Sequence, residues 1–139
     1  MIKMSEIKLI MEDAFNNNMT FSFRASGNSM LPKICNNDLV TLKKNRNDYK
    51  VGDIVLYKRD LDDSYVLHRI RRINKNKTLF DAVGDHQYRI EKNIDTNSIV
   101  AILVSYNRKD KNKEYHNNSK FYKFIVRIGI IRLFFKWIF

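Results

Sequence analysis

Between Met19 and Tyr106 the chain reads as a succession of short strands cut by turn residues, and this limits the fold more than any other feature. Met19, Phe21 and Phe23 alternate with Thr20, Ser22 and Arg24, the period-two signature of a half-buried strand. Ser26-Gly27-Asn28 interrupts it. Asp38 to Lys43 follows an Asn36-Asn37 turn, Ile54 to Lys58 follows Val51-Gly52-Asp53, and Tyr65 to Ile73 follows a loop containing Asp60, Asp62, Asp63 and Ser64. Leu79 to Val83 and Ile99 to Tyr106 complete the series, with Gly84-Asp85 as the turn after the former. Short strands at such intervals predict a mainly β domain, a curled sheet or half-barrel over 19–106.

The flanks are of different material. Ser5 to Phe15 carries Ile7, Leu9, Ile10, Met11, Ala14 and Phe15 near helical spacing, which predicts a short N-terminal helix within 1–18, capped by Ser5 and ended by Asn16-Asn17-Asn18. Residues 107–120 are charged and polar and read as a linker. Phe121 to Phe139 is apolar except for Lys123, Arg127, Arg132 and Lys136, and reads as a C-terminal apolar helix. Its length of about 19 residues matches a bilayer core. Arg127 and Arg132 would each cost about 2.5–3.5 kcal/mol near the centre of a span, which nearly cancels the gain from its apolar residues. Basic residues amid Trp137 and several Phe suit the membrane interface better, so the tail is expected to associate the protein with a membrane.

With 139 residues and 44% hydrophobic content, the chain is one domain with room for a real core. The formal charge of +11 attracts anionic partners or reflects a Lys/Asn-rich composition. Cys35 is the one cysteine, so no intramolecular disulfide and no oxidising compartment is implied. Met1 to Phe15 carries Lys3, Glu6, Lys8, Glu12 and Asp13, which excludes the uninterrupted apolar stretch of a secretory signal.

Chemistry points to one constellation. Ser26-Gly27-Asn28-Ser29-Met30-Leu31-Pro32 delivers a serine to a glycine-containing turn after a strand. A serine hydroxyl is a poor nucleophile unless a base takes its proton and N–H groups hold the oxyanion. A tight turn offers such donors, and Ser26 and Asn28 add side chains to them. The base would be His68, which in a strand shares a face with Val66 and Ile70. Asp85 could orient the imidazole, as carboxylates do in catalytic triads. Each of these residues also has an ordinary structural explanation: a turn serine, a core histidine, an aspartate in a Gly-Asp turn.

Together, Ser-Gly-x-Ser-Met-x-Pro, then Gly52-Asp53-Ile54-Val55, then Leu67-His68-Arg69-Ile70, then Gly84-Asp85 resemble the type I signal peptidases and the related self-cleaving repressor proteases. The resemblance runs from about Phe23 to Val104. It implies Ser29 as nucleophile and His68 as base. Histidine at that place is the archaeal and endoplasmic-reticulum type, where bacterial signal peptidases have lysine. It further implies Asp85 as the acidic member, with Glu91 standing where that type carries a second aspartate. The implied activity is a serine endopeptidase that removes signal or leader segments from precursor peptides, without cofactor or metal. The membrane anchor usual ahead of the serine is not visible. Two alternatives have the same fold: a non-catalytic or regulatory relative, and a nucleic-acid-binding repressor-type protein. The 22 residues ahead of Phe23 are too few for a helix-turn-helix, which argues against nucleic acid as the partner.

Overall fold

The computed structural model describes residues 4–27, 30, 34–61, 64–108 and 111–114. The expected apolar helix over 121–139 lies outside them. Among the described residues no helix is long and apolar enough to cross a membrane.

Helix α1 spans Met4–Asn16, so Ser5 lies within its first turn rather than at its cap. It ends where the asparagines begin: Asn18 takes the left-handed conformation at φ 57°, and the Met19 N–H returns to the Ala14 carbonyl at 2.9 Å. Met11 and Phe15 are the buried residues it sends into the core.

Among the described residues eight strands follow in one antiparallel sheet: β1 (Phe21–Arg24), β2 (Leu39–Lys44), β3 (Ile54–Lys58), β4 (Tyr65–Ile73), β5 (Leu79–Val83), β6 (Glu91–Asp95), β7 (Ile99–Arg108) and β8 (Lys111–Glu114). The order is β1-β2-β7-β3-β4-β5-β6, with β8 added to β7. β7 gives Ile99, Ala101 and Ile102 to β3 and Ser105–Arg108 to β8, while β2 runs along its other edge. Pairing registers shift within four of the strand pairs. Such irregularities bend and twist the strands that carry them, as a curled sheet requires. Among the described residues β1 and β6 are its unclosed ends.

Two hydrophobic clusters occupy opposite faces of the central strands. Ile54 and Leu56 of β3 and Ala101 and Leu103 of β7 join α1 and β1 on one face. Val55 and Tyr57 of β3 meet Ile70, Phe80, Ala82, Ile99 and Ile102 on the other. This accounts for the unbroken apolar run in β3, since a strand buried on both faces has no reason to alternate.

Two strands are absent from the sequence expectation. β6 (Glu-Lys-Asn-Ile-Asp) is polar, mostly half-buried or exposed, and forms an edge, so it lacks an apolar signature. β8 falls inside the stretch read as a linker. Asn107 and Arg108 still belong to β7, Lys111–Glu114 folds back on them, and 115–120 lies outside the described residues. Neither strand needs a hydrophobic pattern, because tertiary pairing with β5 or β7 supplies the backbone partners.

Candidate active site

Asn28, Ser29 and residues 31–33 lie outside the described residues; Ala25, Gly27, Met30 and Ile34 around them are tied by backbone hydrogen bonds. The Ala25 N–H donates to the Asp38 carbonyl at 2.8 Å, and the Asn37 N–H donates to the Ala25 carbonyl at 2.8 Å. The Gly27 N–H donates to Asn36 Oδ1 at 2.9 Å, and the Ile34 N–H to the Met30 carbonyl at 2.9 Å. Asp38, almost fully buried, also accepts from the Cys35 N–H at 2.8 Å. Gly27 sits at φ +88°, where a side chain would strain the backbone although open space surrounds it. Its N–H is committed to Asn36, so it is not a donor for an oxyanion. Ser26 is exposed.

One cleft of about 400 Å³ brings Ser26 and His68 of the sequence-predicted residues together, while Asp85 is not among the residues lining it. Ser26, Gly27 and Met30 line it together with His68, and Phe21, Phe23, Leu56, Tyr65 and Leu67 give it apolar walls. Ligand pockets commonly have this make-up, apolar walls with a few convergent polar groups.

His68 is buried at 4% exposure, in β4, directly across from Val55 of β3. It shares a face with Val66 and Ile70, as its strand position predicts. Burial holds its imidazole below the usual histidine value of 6.5. The nearby Glu91 and Asp85 charges oppose that shift, and Arg59 adds to it. The side chain is thus a neutral base at neutral pH.

Asp85 is placed differently from the sequence expectation. Both carboxylate oxygens accept from Arg69, Oδ1 from Nε and Oδ2 from Nη2, each at 2.7 Å. Arg69 Nη1 donates to the Gly52 carbonyl at 2.8 Å, which ties the turn before β3 to the turn after β5. The Asp85 N–H in turn points at Met30 Sδ, at 3.4 Å. Asp85 therefore reaches His68 through its charge, and its hydrogen bonds link Arg69 and Met30.

The direct neighbour of the imidazole is Tyr57, a residue the sequence did not single out. Its hydroxyl lies 3.4 Å from His68 Nδ1, with the ring edge-on to the imidazole at 6.3 Å between centroids. Burial first, and then the negative charge of the nearby Glu91 carboxylate, push its phenol far above the usual value, so it stays protonated. Burial alone would raise the Glu91 carboxyl. The hydrogen bond and charge of Arg59, helped by Tyr57 and His68, bring it below the ordinary 4.5. Arg59 grips both Glu91 oxygens, through Nε at 3.3 Å and through Nη2. The β3–β4 hairpin register, Lys58 opposite Tyr65, sets Tyr57 diagonally beside His68. Only that register, which the sequence does not state, singles Tyr57 out.

Neither the curated proteins nor the solved structures compared with the chain give a match. A family model does, described as Peptidase S24-like, over residues 3–104. That span holds α1, β1 to β6, most of β7 and every described residue of the cleft. Its wider group, the superfamily of repressor proteases and signal peptidases, includes both serine peptidases and repressor-type proteins. A match over most of the sequence, on a fold of the expected kind, makes this chain a member of the Peptidase S24-like family of serine-peptidase-type proteins.

Proposed function

We propose that the protein is a serine endopeptidase of the histidine type that cleaves signal or leader segments from precursor peptides. The observation that carries this reading is the shared cleft: a buried, neutral His68 lines the same wall system as Gly27 and Met30, the described residues on either side of the Ser29 position. In this reading His68 takes the Ser29 Oγ proton as Oγ bonds to the scissile carbonyl carbon. The oxyanion is held by the Ser29 N–H, with Ser26 or Asn28 as a side-chain donor. The C–N bond then breaks as His68 returns the proton to the leaving amine, and water hydrolyses the acyl-enzyme by the reverse order of transfers. Asp85 supplies negative charge that favours the transient imidazolium, and holds the turn through Arg69 and Met30. The apolar walls suit an extended peptide with uncharged side chains near the scissile bond.

Incubation with leader-bearing precursor peptides, followed by mass spectrometry, tests the reading directly. A single new cleavage site is expected with wild type, and a serine-reactive fluorophosphonate probe should label wild type but not Ser29→Ala. Absence of both would assign the chain to the non-catalytic members of its fold.

The segment 121–139 is proposed to hold the enzyme at a membrane interface, where its substrates' apolar segments also reside. The full chain should float with anionic vesicles, and a chain ending at residue 120 should remain in the dense fractions. Equal flotation of the two would remove the tail from the proposal.

A further inference from the structure

We propose that Tyr57 is the positioning residue for the His68 base, its hydroxyl bridging imidazole Nδ1 and the Glu91 carboxylate that Arg59 holds in place. This rests on the reading of His68 as the base and extends it by naming what orients the ring.

The geometry leaves few choices for the protons. Glu91, held by Arg59, is anionic and only accepts, and its charge beside the phenol favours a Tyr57 O–H turned toward it and away from Nδ1. The lone pairs of the same hydroxyl oxygen then face Nδ1, 3.4 Å away, and favour the tautomer that carries its proton there. Nε2 is left with its lone pair free to accept the serine proton. The distance is at the long end for a hydrogen bond, as is common for catalytic contacts that tighten around substrate. When His68 becomes cationic, Nδ1–H remains a donor to Tyr57, and the charge is felt by Glu91 through one intervening hydroxyl.

The alternative orienting group is occupied. Asp85 spends both oxygens on Arg69, at 10% and 15% side-chain exposure for the pair, and makes no hydrogen bond to the imidazole among the described residues. Tyr57 is wholly buried, and its ring is fixed edge-on against Phe80 at 5.4 Å between centroids, so its hydroxyl has little freedom to wander. Glu91 lies opposite Ala82 in β6, on the same face as Tyr57, which makes the polar edge strand the source of the anion.

Four groups act on the His68 proton: Tyr57 from β3, Arg59 just beyond its end, Asp85 from the turn after β5, and Glu91 from β6. Tyr57→Phe keeps the buried ring and removes the hydroxyl alone. It should lower kcat about tenfold, the loss of one hydrogen bond to a charged group in the transition state, with KM little changed. The acid limb of kcat/KM should move to lower pH, because the imidazolium loses its acceptor. Glu91→Gln should move the limb the same way, since Arg59 is then left as an uncompensated cation. In ¹⁵N spectra of the full chain, the neutral His68 ring should be the Nδ1–H tautomer, and Tyr57→Phe should abolish that preference and lower its titration midpoint.

These readouts separate the two ideas. An unchanged His68 tautomer and midpoint in folded Tyr57→Phe, with wild-type kcat, overturns the Tyr57 role and leaves the peptidase reading intact. A wild-type protein that cleaves nothing, yet shows the tautomer and the shift, supports the Tyr57 contact and removes the peptidase reading. Should Tyr57→Phe not fold by circular dichroism, Glu91→Gln at the partly exposed edge gives the same two measurements, and an unmoved His68 midpoint there overturns the bridge.

Discussion

Ser29→Ala and His68→Ala are each expected to reduce cleavage of a precursor peptide by about 10⁴-fold or more, with the fold retained. The size follows from how the two groups act. Without the hydroxyl there is no acyl-enzyme, and without the imidazole the hydroxyl keeps its proton, so either loss removes the same step. Their effects should not add, and the double variant should be no slower than the worse single one. Circular dichroism and a urea midpoint guard against a trivial cause for His68→Ala, since the ring is 4% exposed and its removal leaves a gap beside Tyr57. His68→Gln fills most of that gap and should be equally inactive. Cleavage by purified Ser29→Ala at more than a trace of the wild-type rate would remove Ser29 from the mechanism.

The second large effect is on stability. Arg69 and Asp85 form a two-pronged ion pair with side chains 10% and 15% exposed, and Arg69 also caps the Gly52 carbonyl. Removing one partner strands a charge away from water, which costs about 3–5 kcal/mol. Arg69→Met or Asp85→Leu alone should therefore lower the thermal midpoint by about 10 °C or more. Replacing both together leaves no unpaired charge and fills the space with apolar volume, so most of the loss should return. The double variant also decides what Asp85 does. With His68 held through Tyr57 and Glu91, cleavage is expected to recover in part, the remaining deficit being the help that the Asp85 charge gives the imidazolium. Recovery of the fold with cleavage still absent would instead make that charge indispensable to the chemistry.

Much of the fold was legible because local pattern and global environment agree. β3, β4 and β5 run over the spans their apolar stretches mark, and β1, β2 and β7 differ by a residue or two at the ends. The turns at Gly27 and Gly52 both take positive φ, so their glycines meant what turn glycines usually mean. β6 and β8 were not legible. Polar edge strands carry no hydrophobic alternation, and their existence depends on a partner strand offering unpaired backbone groups.

The site divides in the same way. The sequence by itself determined the residue types and their order: a serine in a glycine turn, a histidine on an inward strand face, a Gly-Asp turn after the next strand. It also determined that Glu91 follows Asp85 at short range. The partners of the two carboxylates were decided only by the tertiary structure. Arg69 lies in β4 opposite Val83, the end of the adjacent β5, so the register brings its guanidinium to Asp85 in the turn that follows, and a planar fork outcompetes a single imidazole nitrogen for two oxygens. Glu91 reaches the histidine's neighbourhood because the sheet curls enough to bring β6 toward the end of β3, and Tyr57 fills the space between. Chain order records which side chains are present; the curl and register of the sheet decide which of them share a proton.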